Sequence, residues 1–219
     1  AGKVARSKII TTAGGKKVGI VGATTPLLPG ISSPPAGIMK DWSPLNTEAQ
    51  NLANMIPLVQ AEIDELRNNH GVKAIVVMSH LQNAQNERNT LVPGLRGVDL
   101  VISGGGHELM TDPDDLLING GVAPTFTTHP VYANDLDGKA IPVVTGHFGN
   151  RYVGEVKLTI DDGSGAVTSI DSTRMIRVSG RTGVDADAVV GDAALNAGVV
   201  TPVFNYLTAL NARHHLVRG

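Results

Sequence analysis

Ala74-Ile75-Val76-Val77-Met78-Ser79-His80 decides the fold when it is read with Lys17-Val18-Gly19-Ile20-Val21-Gly22 and the stretch between them. Both segments are short, apolar and rich in β-branched residues, as buried strands are. Between them, Leu52, Met55, Ile56, Val59, Ile63 and Leu66 recur at spacings of three and four. That spacing predicts an amphipathic helix over Thr47 to Asn69, with Asn46 or Thr47 as N-cap and Glu48 in its first turn. Pro57 should kink it or mark a new start, and Gly71 should end it. Strand, helix and strand in this order imply a right-handed crossover and a parallel pair.

The pattern repeats with variation. Residues 83–91 read as a short helix. Val98-Asp99-Leu100-Val101-Ile102 reads as another strand and ends in Ser103-Gly104-Gly105-Gly106-His107. Residues 108–138 are polar, with turn signals at Asp112-Pro113-Asp114-Asp115 and Leu136-Asp137-Gly138. Ile141 to Thr145, Tyr152 to Ile160 and Ala166 to Ile170 then read as antiparallel strands, the last two joined by a turn at Asp161 to Gly165. Residues 26–46 read as an extended loop. Residues 185–211 are Ala-rich and helical in pattern, with breaks or bends expected at Gly191, Gly198 and Pro202. The class expected is α/β with a mixed sheet.

Composition bounds the function. The 219 residues, 42% of them hydrophobic and 17% charged, suit one globular domain with a sizeable core. A net charge of -2 supplies no field to attract nucleic acid. There is no cysteine, which excludes disulfides, Cys-ligated zinc and a thiol nucleophile. No apolar run in the sequence approaches the roughly 20 residues of a membrane span. Ala1 to Lys17 is basic and Gly-rich and does not read as a secretory signal, and no Gly-x-Ser-x-Gly elbow supports a serine hydrolase.

Ligands gather at the carboxyl ends of strands in open α/β sheets. Two of the seven histidines stand there: His80 closes one strand, and His107 follows the next across the glycine loop. Parallel neighbours would bring both to one edge. Imidazole suits borderline metals such as zinc and manganese. Glycines 104–106 either let the backbone approach an ion or phosphate closely or form a tight turn. His147, after the strand at 141–145, is a further candidate. His129 reads as structural, His70 as a helix-end residue, and His214-His215 as a solvated tail.

These residues resemble a family. Val18 to Pro26, with Ala23-Thr24-Thr25-Pro26, is similar to the central strand and Thr-Thr-Pro turn of 5'-nucleotidase-type metallophosphoesterases of the calcineurin-like superfamily. Met78-Ser79-His80-Leu81 resembles that family's strand ending in a metal-binding His. Val98 to Glu108 resembles the strand leading to its Gly-His-x-His or Gly-His-x-Gln motif. Pro142 to Leu158 resembles the strands that close the domain. The four motifs keep their order over residues 15–170, and the loop Ser103 to Met110 looks most like a divergent exported alkaline phosphatase/5'-nucleotidase branch.

The resemblance implies the second half of a four-layer α/β/β/α sandwich over residues 1–180, with 181–219 a helical tail toward a further domain. It implies hydrolysis of phosphate monoesters, nucleotides foremost, with two divalent metal ions (zinc, manganese or similar) activating a water. His80 and His107 would be metal ligands. Asn150, Arg151, Gly105 and Gly106 would line the substrate site. Gly105 stands where the family's first motif His is expected. The family's Asp-x-His, Gly-Asp-x-x-Asp and Gly-Asn-His-Asp/Glu motifs do not occur in these residues. The expectation is therefore a site incomplete in this chain, with a second chain supplying the amino-terminal half, in a periplasmic or secreted protein. The competing expectation is a non-catalytic binding or assembly protein that keeps the fold.

Overall fold

The computed structural model describes residues 5–33 and 42–216, with the side chains of residues 214–216 excluded. The expected loop at 26–46 falls in part, and His214-His215 by their side chains, outside the described residues. Two compact units are present, Ala1–Arg177 and Val178–Gly219.

The first unit is built on a six-stranded sheet in the order β1-β2-β3-β4-β6-β5. Its strands are β1 (Ser7–Thr11), β2 (Lys17–Thr24), β3 (Ala74–His80), β4 (Leu100–Ile102), β5 (Val131–Asn134) and β6 (Ala140–Val144). β2, β3, β4 and β6 run parallel, and β1 and β5 close the edges antiparallel. The sheet is mixed and the class is α/β, as the sequence pattern implies. A short turn of helix, α1 (Leu28–Ile31), follows β2.

The crossover between β2 and β3 is α2 (Glu48–Asp64), continued by a wider π-type turn at Glu65–Asn69. Thr47 caps it. Gln50 N–H donates to the Thr47 hydroxyl at 3.2 Å, and Thr47 N–H donates to the Gln50 side chain at 2.8 Å. Pro57 lies inside α2 without starting a new helix. The expected face is buried: Leu52, Met55, Val59, Ile63 and Leu66 pack on Val21, Ile75, Val77, Val101 and Val143. Each fully buried side chain of this kind contributes about 1.5–3 kcal/mol.

The opposite face of the sheet carries the alternate residues, as a period of two requires. Val76, Leu100 and Val144, with Val18 and Ile20, meet Val156 and Leu158. Those two belong to β7 (Tyr152–Ile160), which pairs antiparallel with β8 (Val167–Arg177) as a separate two-stranded sheet. Helix, sheet and hairpin thus form successive layers. One expectation is corrected here: β6 is not the first strand of a meander. It joins the main sheet parallel to β4, because its run Ile141 to Val144 is buried throughout, as a central strand must be.

Asp99 fixes the start of β3 against β4. Ile75 N–H donates to its carboxylate at 2.9 Å, Asp99 N–H donates back to Ile75 O at 2.9 Å, and Lys139 pairs with its other oxygen. Between β3 and β4, α3 (Ala84–Asn86) continues through a π-type turn at Glu87–Leu91.

In the second unit, α4 (Ala193–Leu195), a π-type turn at Asn196–Val200 and α5 (Thr201–Leu216) are continuous. Gly198 and Pro202 do not interrupt this helix. Pro202 lies inside it, directly after the π-type turn at Asn196–Val200. Ala193–Arg213, 21 residues, is long and apolar enough to cross a membrane by length and composition alone. The expectation that no segment reaches that length is corrected accordingly.

Candidate active site

Four parallel strands end at one edge of the sheet, and three of their loops carry every candidate residue. The loop after β3 holds His80 and Gln82. The loop after β4 holds Gly104 to Glu108. The loop after β6 holds His147, Phe148, Asn150 and Arg151. Four non-glycine residues in these loops have positive φ: Gln82 at 70°, His107 at 62°, His147 at 60° and Asn150 at 55°, and they are the only such residues described. Backbone held in sparsely populated regions clusters where function dictates the chain path.

His80 is exposed and lies against the glycine loop. A Cβ on Gly105, whose φ is 91°, would stand 2.7 Å from His80 Nε2 and 3.2 Å from Gln82 Nε2. A Cβ on Gly104 would stand 3.0 Å from Ser79 O. Gly105 therefore does more than omit an imidazole. Its bare backbone fills the space beside His80 that a side chain would claim.

Beneath this contact lies Glu87, fully buried. Ser79 Oγ donates to its Oε1 at 2.6 Å, and the buried Ser103 hydroxyl adds a weaker polar interaction with the same carboxyl. Burial pushes the Glu87 carboxyl above its ordinary value, with the Ser79 hydrogen bond opposing. Ser79 and Ser103 directly precede His80 and Gly104, so this carboxyl sits under the roots of both loops. Its only sequence signal was an acidic residue in the short helix after β3.

Glu108, also not singled out by the sequence, ties the loops together. Ala84 N–H donates to its Oε1 at 2.9 Å, and His147 N–H donates to its carbonyl at 3.1 Å. Its Oε2 is buried without a partner. Leu109 and Gly146 add an antiparallel bridge between the same loops.

His107 and His147 meet on one ring. Phe148 lies 4.8 Å from His107 and 4.5 Å from His147 between centroids, and the Arg151 guanidinium carbon sits 4.9 Å from the Phe148 centroid. His147 is also edge-on to Tyr152 at 5.9 Å. Burial first, then the Arg151 and His107 charges, hold His147 below the usual histidine range. Asn150 is exposed beside Arg151. His107, His147 and Arg151 are thus brought together, and His80 is brought to Gly105.

Among the described residues, no three His, Asp or Glu side chains converge as a metal site. The donors present at this edge, imidazoles without a converging carboxylate, do not by themselves fit a pair of divalent ions.

His129 lies apart, buried with both ring nitrogens unpartnered and one of them close to Gly154. The His129 backbone N–H donates to Asp112 at 2.9 Å, and the Met175 backbone N–H donates to Asp115 at 3.1 Å.

No family model matches the sequence. Curated proteins and solved structures do. A 5'-nucleotidase of Diplobatis ommata is 31% identical over 154 residues, which are 68% of this chain and 22% of that protein. A snake venom 5'-nucleotidase of Crotalus adamanteus is 27% identical over 163 residues, covering 73% and 24%. The crystal structure of a 5'-nucleotidase precursor from Thermus thermophilus superposes with a TM-score of 0.61 at 24% identity, over 80% of this chain and 30% of that one. The chain spans less than a third of the length of each of these proteins. The sequence matches and the shared fold lead to one conclusion: this chain belongs to the 5'-nucleotidase-type metallophosphoesterases.

Proposed function

We propose that this chain forms part of the catalytic domain of a metal-dependent hydrolase of phosphate monoesters, with nucleotides as the substrate class. One observation carries the reading. The parallel neighbours β3 and β4 end in loops that present His80 and His107 at one edge, where α/β sheets place ligands. In this reading His80 and His107 are metal ligands, and Gly105, Gly106, Asn150 and Arg151 line the substrate site, with His147 beside them. The remaining ligands, above all a bridging carboxylate, come from outside these 219 residues, from the amino-terminal half of the domain or a second chain. Residues 1–180 belong to the catalytic layer, in the divergent exported alkaline phosphatase/5'-nucleotidase branch, and 181–219 lead toward a further domain. A periplasmic or secreted setting agrees with the venom origin in the Crotalus adamanteus relative's name.

When bound, the metal ions would activate water and neutralise phosphate charge. The chain's own contribution is positional. Loops tied by Glu108 hold the imidazoles, and Gly105 keeps the backbone close to His80.

The absence of three converging ligands among the described residues favours a second reading, a binding or assembly protein that retains the fold. Phosphate release from adenosine monophosphate separates the two. The chain alone should release none. Mixed with a polypeptide carrying the three missing motifs, it should release phosphate in a chelator-sensitive reaction that His80→Ala abolishes. Turnover indifferent to chelator or to His80→Ala would refute the hydrolase reading.

A further inference from the structure

His80 has a neighbour that the strand pattern does not single out. Gln82 follows it by two positions, half-buried, with φ at 70°. Glycine adopts that conformation freely and an L side chain only at a cost, so a long side chain there calls for a reason. Gly105, on the loop after β4, has φ at 91° and no side chain. One point relates the two residues. The position of a Cβ on Gly105 lies 2.7 Å from His80 Nε2 and 3.2 Å from Gln82 Nε2. The space that a side chain on residue 105 would enter is therefore flanked by an imidazole and a carboxamide.

The carboxamide is held at that point and is not otherwise employed. Leu81 is buried in the core, and Asn83 caps α3 by accepting the Gln85 N–H at 2.9 Å, so the backbone is fixed on both sides of Gln82. The other polar side chains of this turn are bonded within it. Asn86 donates to Leu81 O at 2.8 Å, and Glu108 accepts from the Ala84 N–H at 2.9 Å. Among the described residues, no hydrogen bond takes up the Gln82 side chain. A half-turn about its last bond exchanges Nε2 for Oε1 and sets an amide oxygen beside His80. Neutral imidazole nitrogens and amide oxygens both bind divalent ions. No three His, Asp or Glu side chains converge among the described residues, and this oxygen adds a donor of another kind at the same point.

We propose that Gln82 is a metal ligand acting with His80, its amide oxygen taking the place of the side chain that Gly105 lacks. The proposal rests on the reading of His80 as a ligand and adds to it a second donor from the same loop. It also accounts for a side chain at φ 70°, where glycine would fold at less cost.

The test is a zinc titration of the full chain by NMR, following the His80 imidazole and the Gln82 side-chain amide. Both sets of signals should move along one saturating curve. Gln82→Gly should weaken zinc binding at least about tenfold, a loss that even a residue behind a ligand can produce. Its urea midpoint should not fall, because glycine adopts φ 70° without strain. A merely structural Gln82 would give the opposite pattern, with zinc affinity kept. Gln82→Glu should tighten zinc binding, since a carboxylate oxygen is the stronger donor. Unchanged affinity in Gln82→Gly would overturn the proposal, as would an amide signal that stays still while His80 responds. Either result leaves His80 standing as a ligand. Weaker binding in Gln82→Glu would overturn the proposal too. A His80 signal indifferent to zinc in the native chain would remove the reading of His80 and the proposal together, so the two failures are distinguishable.

Discussion

Gly105 and His80 are in contact such that the position of a Cβ on residue 105 lies 2.7 Å from His80 Nε2. The contact couples a backbone choice to a candidate metal ligand. Gly105→Ala should displace the His80 ring, since a real Cβ tolerates no approach this close. It should also cost about 1–2 kcal/mol, because alanine at φ 91° is strained. Urea unfolding reads the second effect, and the His80 imidazole chemical shift reads the first. An unmoved His80 signal would mean the loop yields instead.

His129 should make the fold acid-sensitive. Burial holds its imidazole below the ordinary histidine value, with Asp112 and Asp115 opposing. A histidine depressed in the folded state contributes stability above its unfolded value of about 6.5, and that stability is lost as pH falls toward the folded value. The urea midpoint should therefore drop between about pH 7.5 and 5 more steeply in the native chain than in His129→Gln. Equal slopes would show that His129 carries no proton-linked stability.

Glu87 carries the opposite sign. Its carboxyl is raised, so the protonated form favours the fold. The contribution is complete below about 4.5 and is lost as pH rises through the folded value. Glu87→Gln, which mimics the neutral acid and keeps an acceptor for Ser79, should change stability at neutral pH by less than about 1 kcal/mol. Glu87→Ala should cost about 2–4 kcal/mol, mainly from the cavity, since Ser79 Oγ keeps the Ile102 carbonyl as a partner at 3.2 Å. Similar losses in both variants would place a needed charge at Glu87.

The central layer was legible because its signals are strong. β2, α2, β3 and β4 combine apolar runs with helical periodicity and a capping pair at Thr47 and Gln50. The edges were not. β1, Ser7–Thr11, is mostly exposed and carries only Ile9 and Ile10 as apolar residues in a basic context. β5, Val131–Asn134, is short and buries only Val131, so it was hidden in a polar stretch. The partner of β6 was misread because adjacency in sequence suggested β7, whereas burial on both faces required a place inside the sheet. Gly198 failed as a helix breaker because glycine is tolerated in a helix interior at about 1 kcal/mol, and Pro202 is accommodated inside the helix directly after the π-type turn at Asn196–Val200.

The candidate site was legible by residue type and strand position. His80 and His107 stand where strand ends predict, and His147 lies on the third loop of the same edge. What sequence could not convey is how the loops hold them. The glycine loop was open to two meanings, a close approach or a tight turn, and its contact with His80 appears only in three dimensions. Glu87 and Glu108 carry no motif. Their importance comes from burial and from the groups they leave or satisfy.

Zinc titration of the chain, followed through the His80 and His107 imidazole signals, tests the central claim most directly. Two imidazoles at one edge, without a carboxylate, should bind zinc weakly but jointly, so both signals should move with the same dependence on zinc concentration. His80→Ala should abolish the response of His107. Movement of one signal without the other, or an intact His107 response in His80→Ala, would contradict the assignment of these residues to a shared metal site.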